Sequence, residues 1–263
     1  MKPYFLIILS ILLVSCEKLI QLKPANTEDK YVIEGTITNE PGNCTVLISK
    51  TKKFDDDNTF NGVSGAVVRV ENNGTTITLQ EISTGVYKTT AVNGVPGQTY
   101  RLTATVASGE TFTAVSTMQK PVPFLDFYLK PNDFDSLRTV AYVKYKDSAE
   151  IKNYYWFELF VNDKRQANYG VANDEFTTGQ LINSGVLFQN TTKNREKDIK
   201  RGDKLDVEMH SIDDSVYLYL FSLSGAKGNG NNAAPANPIS NINGGALGYF
   251  SAHTTQRKSL IIP

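Results

Sequence analysis

Side chains suited to acid–base or metal chemistry are unevenly represented in this sequence. Histidine occurs only twice, as His210 and His253, whereas 27 acidic residues are spread over 263 positions. The chain contains neither a His-Glu-x-x-His pair nor a Gly-x-Ser-x-Gly nucleophile motif. Because a chain with this many acidic residues always contains pairs of carboxylates, the sequence alone does not identify a catalytic pair of the kind that glycosidases use. The sequence therefore predicts no enzyme, no cofactor and no metal, with His210 exposed on the polar face of a strand beside Glu208.

Three consecutive acidic residues, Asp55 to Asp57, suggest a calcium loop. An EF-hand loop that begins at Asp55 needs glycine at its sixth position and glutamate at its twelfth. The chain has Phe60 and Ala66 at those positions, which excludes the EF-hand motif. Two interpretations remain, namely a solvated acidic loop between strands and an irregular calcium loop.

The strongest chemical signal is a cysteine that follows a short apolar segment. Lys2 precedes an apolar run from Phe5 to Val14, about ten residues, whereas a membrane-spanning helix needs about 20. A basic start, a short apolar core and small residues are typical of a secretory signal. Leu13-Val14-Ser15-Cys16 resembles the lipobox of bacterial lipoproteins, which implies cleavage between Ser15 and Cys16. Diacylglycerol and palmitate on Cys16 would anchor the mature chain in membrane lipid, because several acyl chains bind stably.

The chain is predicted to have four parts. Residues 1–15 are the signal peptide and residues 16–29 are a lipidated tether of mixed composition. Residues 30–119 are a β-sandwich domain. A β-rich domain, residues 120–263, begins at Lys120-Pro121-Val122-Pro123, because two closely spaced prolines interrupt β-ladders and stiffen a linker.

Two-residue alternation of apolar side chains dominates the first domain and predicts β-strands. The predicted strands are residues 31–38, 44–48, 66–71, 75–80, 86–89, 100–106 and 112–116. The Asn73-Gly74 pair predicts a tight hairpin between two of them. Cys44 is in phase with Val46 and Ile48, which favours a buried thiol over a reactive one. Short strands with frequent turns are typical of an immunoglobulin-like or transthyretin-like sandwich.

The second domain is predicted to be mostly β, with one short helix. The predicted strands are residues 140–145, 154–161, 204–212, 247–252 and 259–262. Asp213 or Asp214 can cap the start of the helix, and Gly225 can end it. A strand over residues 216–221 is the alternative interpretation of the same run. Residues 226–238 are predicted to form a long polar loop. The predicted fold class is therefore all-β, with an N-terminal sandwich followed by a second β-rich domain.

An aromatic cluster, Tyr154-Tyr155-Trp156-Phe157, opens one predicted strand. Two of these side chains should point to each face, so at least half of them should fill the core. Tyr154 and Trp156 share a face and are candidates for contact with a sugar or a protein partner, because Tyr and Trp favour both. Filling of the core is the alternative interpretation for these two as well.

Three segments carry a resemblance to a known family. They are residues 154–159, residues 201–213 and residues 241–252, and the last contains Gly-Gly-Ala-Leu-Gly-Tyr-Phe. With the lipobox, the chain resembles the family of domains of unknown function numbered 4249, lipoproteins of Gram-negative outer membranes. The resemblance implies an anchored protein that faces the cell exterior and is often encoded beside a TonB-dependent transporter. It carries no established reaction and no catalytic residues. In this lineage Asp-Ser-aliphatic tripeptides receive O-linked glycans, which makes Ser136 and Ser148 candidates, although so short a pattern also occurs by chance.

Binding is the function that the sequence favours. The net charge of zero argues against nucleic acid. With the resemblance, the sequence predicts a non-catalytic accessory subunit of a TonB-dependent nutrient-uptake system, without naming its ligand. The alternatives are a structural or adhesive surface lipoprotein, and a surface hydrolase with two acids converging in a cleft. An aromatic pocket would favour nutrient binding, whereas a flat aromatic patch would favour protein contact.

Overall fold

A computed structural model describes residues 29–52, 59–131, 139–186, 199–226 and 237–263. The strands are β1 Tyr31–Thr38, β2 Cys44–Lys50, β3 Val67–Asn72, β4 Thr75–Thr78, β5 Gln80–Ser83, β6 Val86–Thr89, β7 Thr99–Thr105, β8 Thr111–Thr117, β9 Phe124–Pro131, β10 Thr139–Lys146, β11 Tyr154–Val161, β12 Lys164–Asn173, β13 Leu181–Val186, β14 Lys204–Ile212 and β15 Leu247–Ile261. The helix, α1, is Asp214–Ala226. The predicted all-β class with one short helix is confirmed. The lipobox with Ser15 and Cys16, the Asp55–Asp57 loop, Ser136 and most of the 226–238 loop lie outside the described residues.

Three sheets make up the described fold. The largest has eight strands in the order β12-β11-β14-β15-β1-β2-β6-β5. A four-stranded sheet has the order β4-β3-β7-β8, and a three-stranded sheet has the order β13-β10-β9. Within the large sheet β1 and β15 run parallel, whereas the other pairs are antiparallel. No helix among the described residues is long and apolar enough to cross a membrane.

The eight-stranded sheet continues across the boundary predicted at residue 120. β15 lies between β14 of the second predicted domain and β1 of the first. Ile242, Ala246 and Phe250, all from the C-terminal segment, pack into the first hydrophobic core. The two predicted domains therefore share one sheet, and the C-terminal strand helps to complete the N-terminal sandwich.

Each half of the large sheet buries an apolar face. The first core joins β1, β2 and β6 to the four-stranded sheet, and it includes Ile33, Val46 and Leu102. The second core joins β11 and β14 to β9 and β10. Cys44 is buried in the first core, as predicted, and burial raises the pKa of its thiol to about 12.

A glycine makes the parallel β1–β15 pair possible. Gly248 has φ +103°, and a Cβ atom there would lie 2.0 Å from the carbonyl oxygen of Ile33. A residue with a side chain would therefore clash with the backbone of β1 and adopt a strained conformation. The third glycine of the Gly-Gly-Ala-Leu-Gly-Tyr-Phe segment thus has a structural reason.

Several elements differ from the prediction. The two predicted strands, 247–252 and 259–262, are replaced by one 15-residue strand that ends at Ile261, because β14 pairs with the polar residues between them. Gly225 lies inside α1 and does not end it, since the helix continues to Ala226. The predicted strand 75–80 is split into β4 and β5, which belong to different sheets. The hairpin is confirmed, with positive φ at both Asn73 and Gly74.

Candidate functional site

Helix α1 covers one end of the large sheet and is fixed there by Asp213. One carboxylate oxygen of Asp213 accepts hydrogen bonds from the Val216 amide (3.0 Å) and the Ser215 hydroxyl (2.8 Å). The other accepts hydrogen bonds from the Ser116 hydroxyl (2.5 Å) and the Thr117 amide (3.1 Å) on β8. The same side chain therefore caps the helix, as the sequence predicts, and ties it to the four-stranded sheet.

A groove with a volume of about 280 Å³ lies on this face of the large sheet. Its lining comes from β1, β2, β11, β12, β15, the β11–β12 hairpin and α1. The lining residues are Glu34, Thr36, Thr45, Leu47, Trp156, Arg165, Gln166, Ala167, Tyr169, Leu220, Leu223 and Tyr249. Three of them are large aromatic residues, and the charged ones are Glu34 and Arg165. The Tyr169 hydroxyl donates to the Leu220 carbonyl (2.9 Å), which joins β12 to the helix across the groove.

The aromatic cluster of β11 divides between this groove and the interior. Trp156 is only 3% exposed; its ring lies edge-on to Tyr249 with centroids 6.2 Å apart. Tyr154, the other predicted contact residue, packs against Tyr217 of α1 (5.1 Å) and does not line the groove. Tyr155 and Phe157 point to the second core. The cluster is therefore not a flat exposed platform, and Trp156 is its one member in the lining of this groove.

A buried polar cluster continues from Trp156 across the same face. Trp156, Glu158 and Phe160 alternate along β11, and they pair directly with His210, Glu208 and Asp206 of β14. His210 is 2% exposed, so the prediction that it is a surface histidine is wrong. The strand order explains the error, because neighbouring strands place Trp156 and His253 against it, each with ring centroids 4.7 Å away.

The contacts of His210 are directional. Its Nδ1 atom lies 3.0 Å from the Thr255 hydroxyl on β15. Its Nε2 atom lies 3.3 Å from Oε2 of Glu158 and 3.8 Å from Oε2 of Glu208. The two remaining carboxylate oxygens face arginines, since Oε1 of Glu158 contacts Arg165 and Oε1 of Glu208 lies 3.4 Å from Arg257.

The interior position of the cluster changes its acid–base properties. Burial raises the pKa of Glu208, and His210, when its ring is protonated, and Arg257 oppose that rise. Burial also acts to raise the pKa of Glu158, but the neighbouring His210 and Arg165 outweigh it and lower the pKa. Burial and the proximity of His210 hold the pKa of His253 well below its ordinary value of 6.5. His253 is therefore neutral in the folded protein near neutral pH.

A second, larger cavity differs from the groove in its lining. This cavity of about 530 Å³ lies between β11, β12 and β13, and none of the described residues that line it is charged.

Ser148, the candidate glycosylation site, is half-buried, and its hydroxyl accepts a hydrogen bond from the Glu150 amide (3.3 Å). The preceding Asp147 is buried and binds the Tyr155 hydroxyl and the Gly179 amide. Glycosylation of Ser148 stays a prediction.

Sequence reasoning missed most of the site. Glu34, Arg165, Tyr169 and Tyr249 are separated by up to 215 residues in the sequence, and only the strand order brings them together. The alternation of Trp156 and Glu158 on β11 was the available signal, because it placed an acid and an aromatic ring on one face.

Comparison with known proteins identifies the family. The family described as "Domain of unknown function (DUF4249)" matches residues 17–259. No curated protein matches the chain. A solved structure titled "Cytokine receptor complex - Crystal form 1A" is similar at 9% identity, covering 86% of this chain and 94% of that chain, with a TM-score of 0.28. That score is too low to support any argument about fold or function. The match over nearly the whole chain shows that the protein belongs to the DUF4249 family.

Proposed function

We propose that the protein is a non-catalytic binding lipoprotein, anchored to the outer membrane through acylated Cys16 and facing the cell exterior. In this proposal it acts as an accessory subunit of a TonB-dependent transporter and helps to capture or hand over a nutrient. The observation that carries the proposal is the groove, whose lining combines aromatic rings with the charged side chains of Glu34 and Arg165. Apolar and aromatic walls with a few convergent polar groups are the usual composition of small-molecule sites.

The dimensions of the groove suit a small ligand. Its volume of about 280 Å³ is near the lower limit of roughly 300 Å³ that is usual for ligand pockets. Trp156 and Tyr249 offer ring surfaces, while Arg165 offers a guanidinium group that can pair with an anionic group. A nutrient with one ring or aliphatic face and a charged or strongly polar group would complement these walls.

The placement of the acids favours binding over hydrolysis. Hydrolysis by paired acids requires both carboxyl groups to reach the same substrate bond. Glu34 is the one carboxylate in the lining of the groove. Glu158 and Glu208 face each other on neighbouring strands, but neither belongs to that lining, and each contacts an arginine. The surface hydrolase therefore remains the weaker alternative.

An exposed apolar patch supports contact with another protein. Leu218 and Phe221, one turn apart on α1, are 44% and 57% exposed, and Ile239 is 59% exposed. The Ile239 amide donates to the Ser222 hydroxyl (2.8 Å), which places this residue beside the exposed face of α1. Adjacent exposed apolar side chains of this kind are typical of protein interfaces. The resemblance to TonB-associated lipoproteins suggests the partner.

Co-purification from the native outer membrane tests the proposal. The full-length tagged protein, extracted in mild detergent, should bring down a TonB-dependent transporter in stoichiometric amount. Phe221→Lys should weaken that association, because a charge in an apolar interface must be desolvated. Leu125→Lys is the matched control, since Leu125 is 48% exposed on β9 and lies outside the patch. Recovery of the intact wild-type protein alone would contradict the proposal and favour an independent adhesive role.

A further inference from the structure

The geometry points to a binding site for a first-row divalent cation, with Zn²⁺ as the reference ion, formed by Glu158, Glu208 and His210. Each of the three residues offers one ligand atom, and these atoms all lie within 4.8 Å of one another. For His210 that atom would be Nε2, which lies near Oε2 of each glutamate. Carboxylate oxygen and imidazole nitrogen together are a usual ligand set for such ions. This site would exist in addition to the proposed ligand groove and does not depend on it.

The pairing of the strands places two like charges opposite each other. Glu158 of β11 and Glu208 of β14 are direct cross-strand partners. Like charges in that position destabilise a sheet, and burial increases the cost. A cation between the carboxylates would remove the repulsion, so a cation site gives this pairing a physical reason.

The histidine provides an observation independent of the acids. His210 is 2% exposed, and its Nε2 atom has no hydrogen-bond partner. Buried polar nitrogen atoms without a partner are rare and costly. This atom is directed at the two carboxylates, 3.3 Å and 3.8 Å away. It therefore completes a set of three donor atoms that converge on one point.

The arginines leave this point open. Arg165 contacts Oε1 of Glu158, and Arg257 contacts Oε1 of Glu208, whereas both Oε2 atoms face His210. Each arginine thus holds the outer oxygen of its glutamate and orients the inner one. A metal ion could bind the inner oxygens without displacing either arginine. In metal sites, outer contacts of this kind commonly position the ligands.

A proton on Nε2 explains the geometry less well than a metal ion. A protonated imidazole pairs with one carboxylate in a nearly linear hydrogen bond of about 2.7–2.9 Å. Here Nε2 lies further than that from both carboxylates, at 3.3 Å and 3.8 Å. Tetrahedral ligands at about 2.1 Å from a metal are about 3.4 Å apart, which is close to the separations observed.

The Nδ1 atom of His210 makes a polar contact of the kind that usually orients metal-binding histidines. Nδ1 lies 3.0 Å from the Thr255 hydroxyl, and the Thr255 amide donates to the Asn39 side chain (2.7 Å). With a proton on Nδ1, this contact fixes the ring and leaves the Nε2 lone pair available for a metal. Thr255 is thus a positioning residue in the proposed site.

Isothermal titration of the chelator-treated, full-length protein in detergent with Zn²⁺ tests the inference. The wild-type protein should bind one equivalent. The double variant Glu158→Gln/Glu208→Gln should lose this binding, and Thr255→Val should weaken it about 10–100-fold, as supporting contacts in metal sites do. Glu71→Gln, at an exposed position on β3, is the control and should bind as tightly as the wild type.

Cobalt offers a second readout that a general loss of structure would not reproduce. Co²⁺ in the site should quench Trp156, the single tryptophan, whose ring lies 4.7 Å from that of His210. Circular dichroism in chelator should be the same for wild-type and variant proteins, which separates metal loss from unfolding. No saturable Zn²⁺ binding by the wild type would overturn the inference. Unchanged affinity in the double glutamine variant would overturn it as well.

Discussion

The two faces of strands β11 and β14 differ in the chemistry of their side chains. One face carries Tyr155, Phe157 and Leu159 with Leu205, Val207 and Met209, and it packs into an apolar core. The other face carries Trp156 and Glu158 with Asp206, Glu208 and His210. Asp206 and His210 are as deeply buried as the apolar residues behind them. The same two segments of backbone thus support a stabilising face and a face that is costly to bury.

This difference indicates that the apolar face stabilises the fold and that the polar face has a function. Burying an apolar side chain contributes about 1.5–3 kcal/mol to stability. Burying charges commonly contributes little, and hydrophobic replacements are often neutral or stabilising. A buried acid–histidine cluster next to an aromatic groove is therefore not required for folding. Perturbed ionisable groups in such a position are characteristic of functional sites.

The largest expected effect is on the apolar face. Met209→Ala removes a fully buried side chain from the second core and should reduce the free energy of unfolding by about 2–5 kcal/mol. Urea denaturation measures this loss. Zn²⁺ affinity of the folded variant should stay unchanged. A loss below about 1 kcal/mol would contradict the claim that the apolar face of β11 and β14 stabilises the fold.

The second effect is a pH dependence that arises from the polar face. The pKa of His253 is lower in the folded protein than its ordinary value of 6.5, so below that pH the unfolded chain binds more protons. The stability contributed by neutral His253 is complete above pH 6.5 and is lost as the pH falls towards the folded pKa. The free energy of unfolding should fall by up to about 1.4 kcal/mol per pH unit between pH 6.5 and 5.5.

Urea denaturation at several pH values checks this slope. His253→Gln is the comparison variant, and its stability should depend less on pH in the same interval. An equal slope in both proteins would show that the buried histidine does not cause the dependence.

A smaller effect on stability is expected from the opposed glutamates. Glu208→Gln loses the Arg257 contact but also removes the repulsion with Glu158, so the net change should stay within about 1 kcal/mol. The change in Zn²⁺ affinity should be much larger, at least about tenfold. Chemical denaturation and metal titration of one preparation measure both. A destabilisation as large as that of Met209→Ala would assign Glu208 to the fold.

The smallest effect is expected at the exposed end of β14. Lys204 and Asp163 form an ion pair of 2.8 Å with both side chains largely exposed. Asp163→Asn should change the free energy of unfolding by about 0.5 kcal/mol or less, because solvent screens the pair. Asparagine also tolerates the positive φ at this position. A change above 1 kcal/mol would show that surface charges matter more to this sheet than its interior charges.

The alternation of apolar residues predicts where strands lie, but it does not predict which other elements pack over them or pair with them. The runs around Ile33, Leu102 and Val207 were found, because each has a regular apolar face. β12 and β13 were missed, since edge strands such as Lys164–Asn173 contain few alternating apolar residues. The polar centre of β15 predicts a break between two strands, although β1 pairs with the strand as far as His253 and β14 pairs with it from Thr254 onward.

The candidate site was less predictable than the fold. The sequence placed His210 on a polar face with Glu208, and that alternation is correct. Its burial depends on the neighbours Trp156 and His253, which the order of strands supplies. The opposition of Glu158 and Glu208, 50 residues apart, depends on the register of β11 and β14. Local patterns contain neither strand order nor register, so the site could emerge only from the folded structure.

The emission of Trp156 offers the most direct test of the claim that this face of the sheet binds a ligand. Trp156 is the single tryptophan and lines the groove, so occupancy of the groove should change its fluorescence. Defined oligosaccharides and short peptides would be added one at a time to the wild-type protein and to Arg165→Gln. We expect a saturable change in emission with at least one of these probes, and a weaker change in Arg165→Gln. Unchanged emission with every probe, or an equal response in the variant, would contradict it.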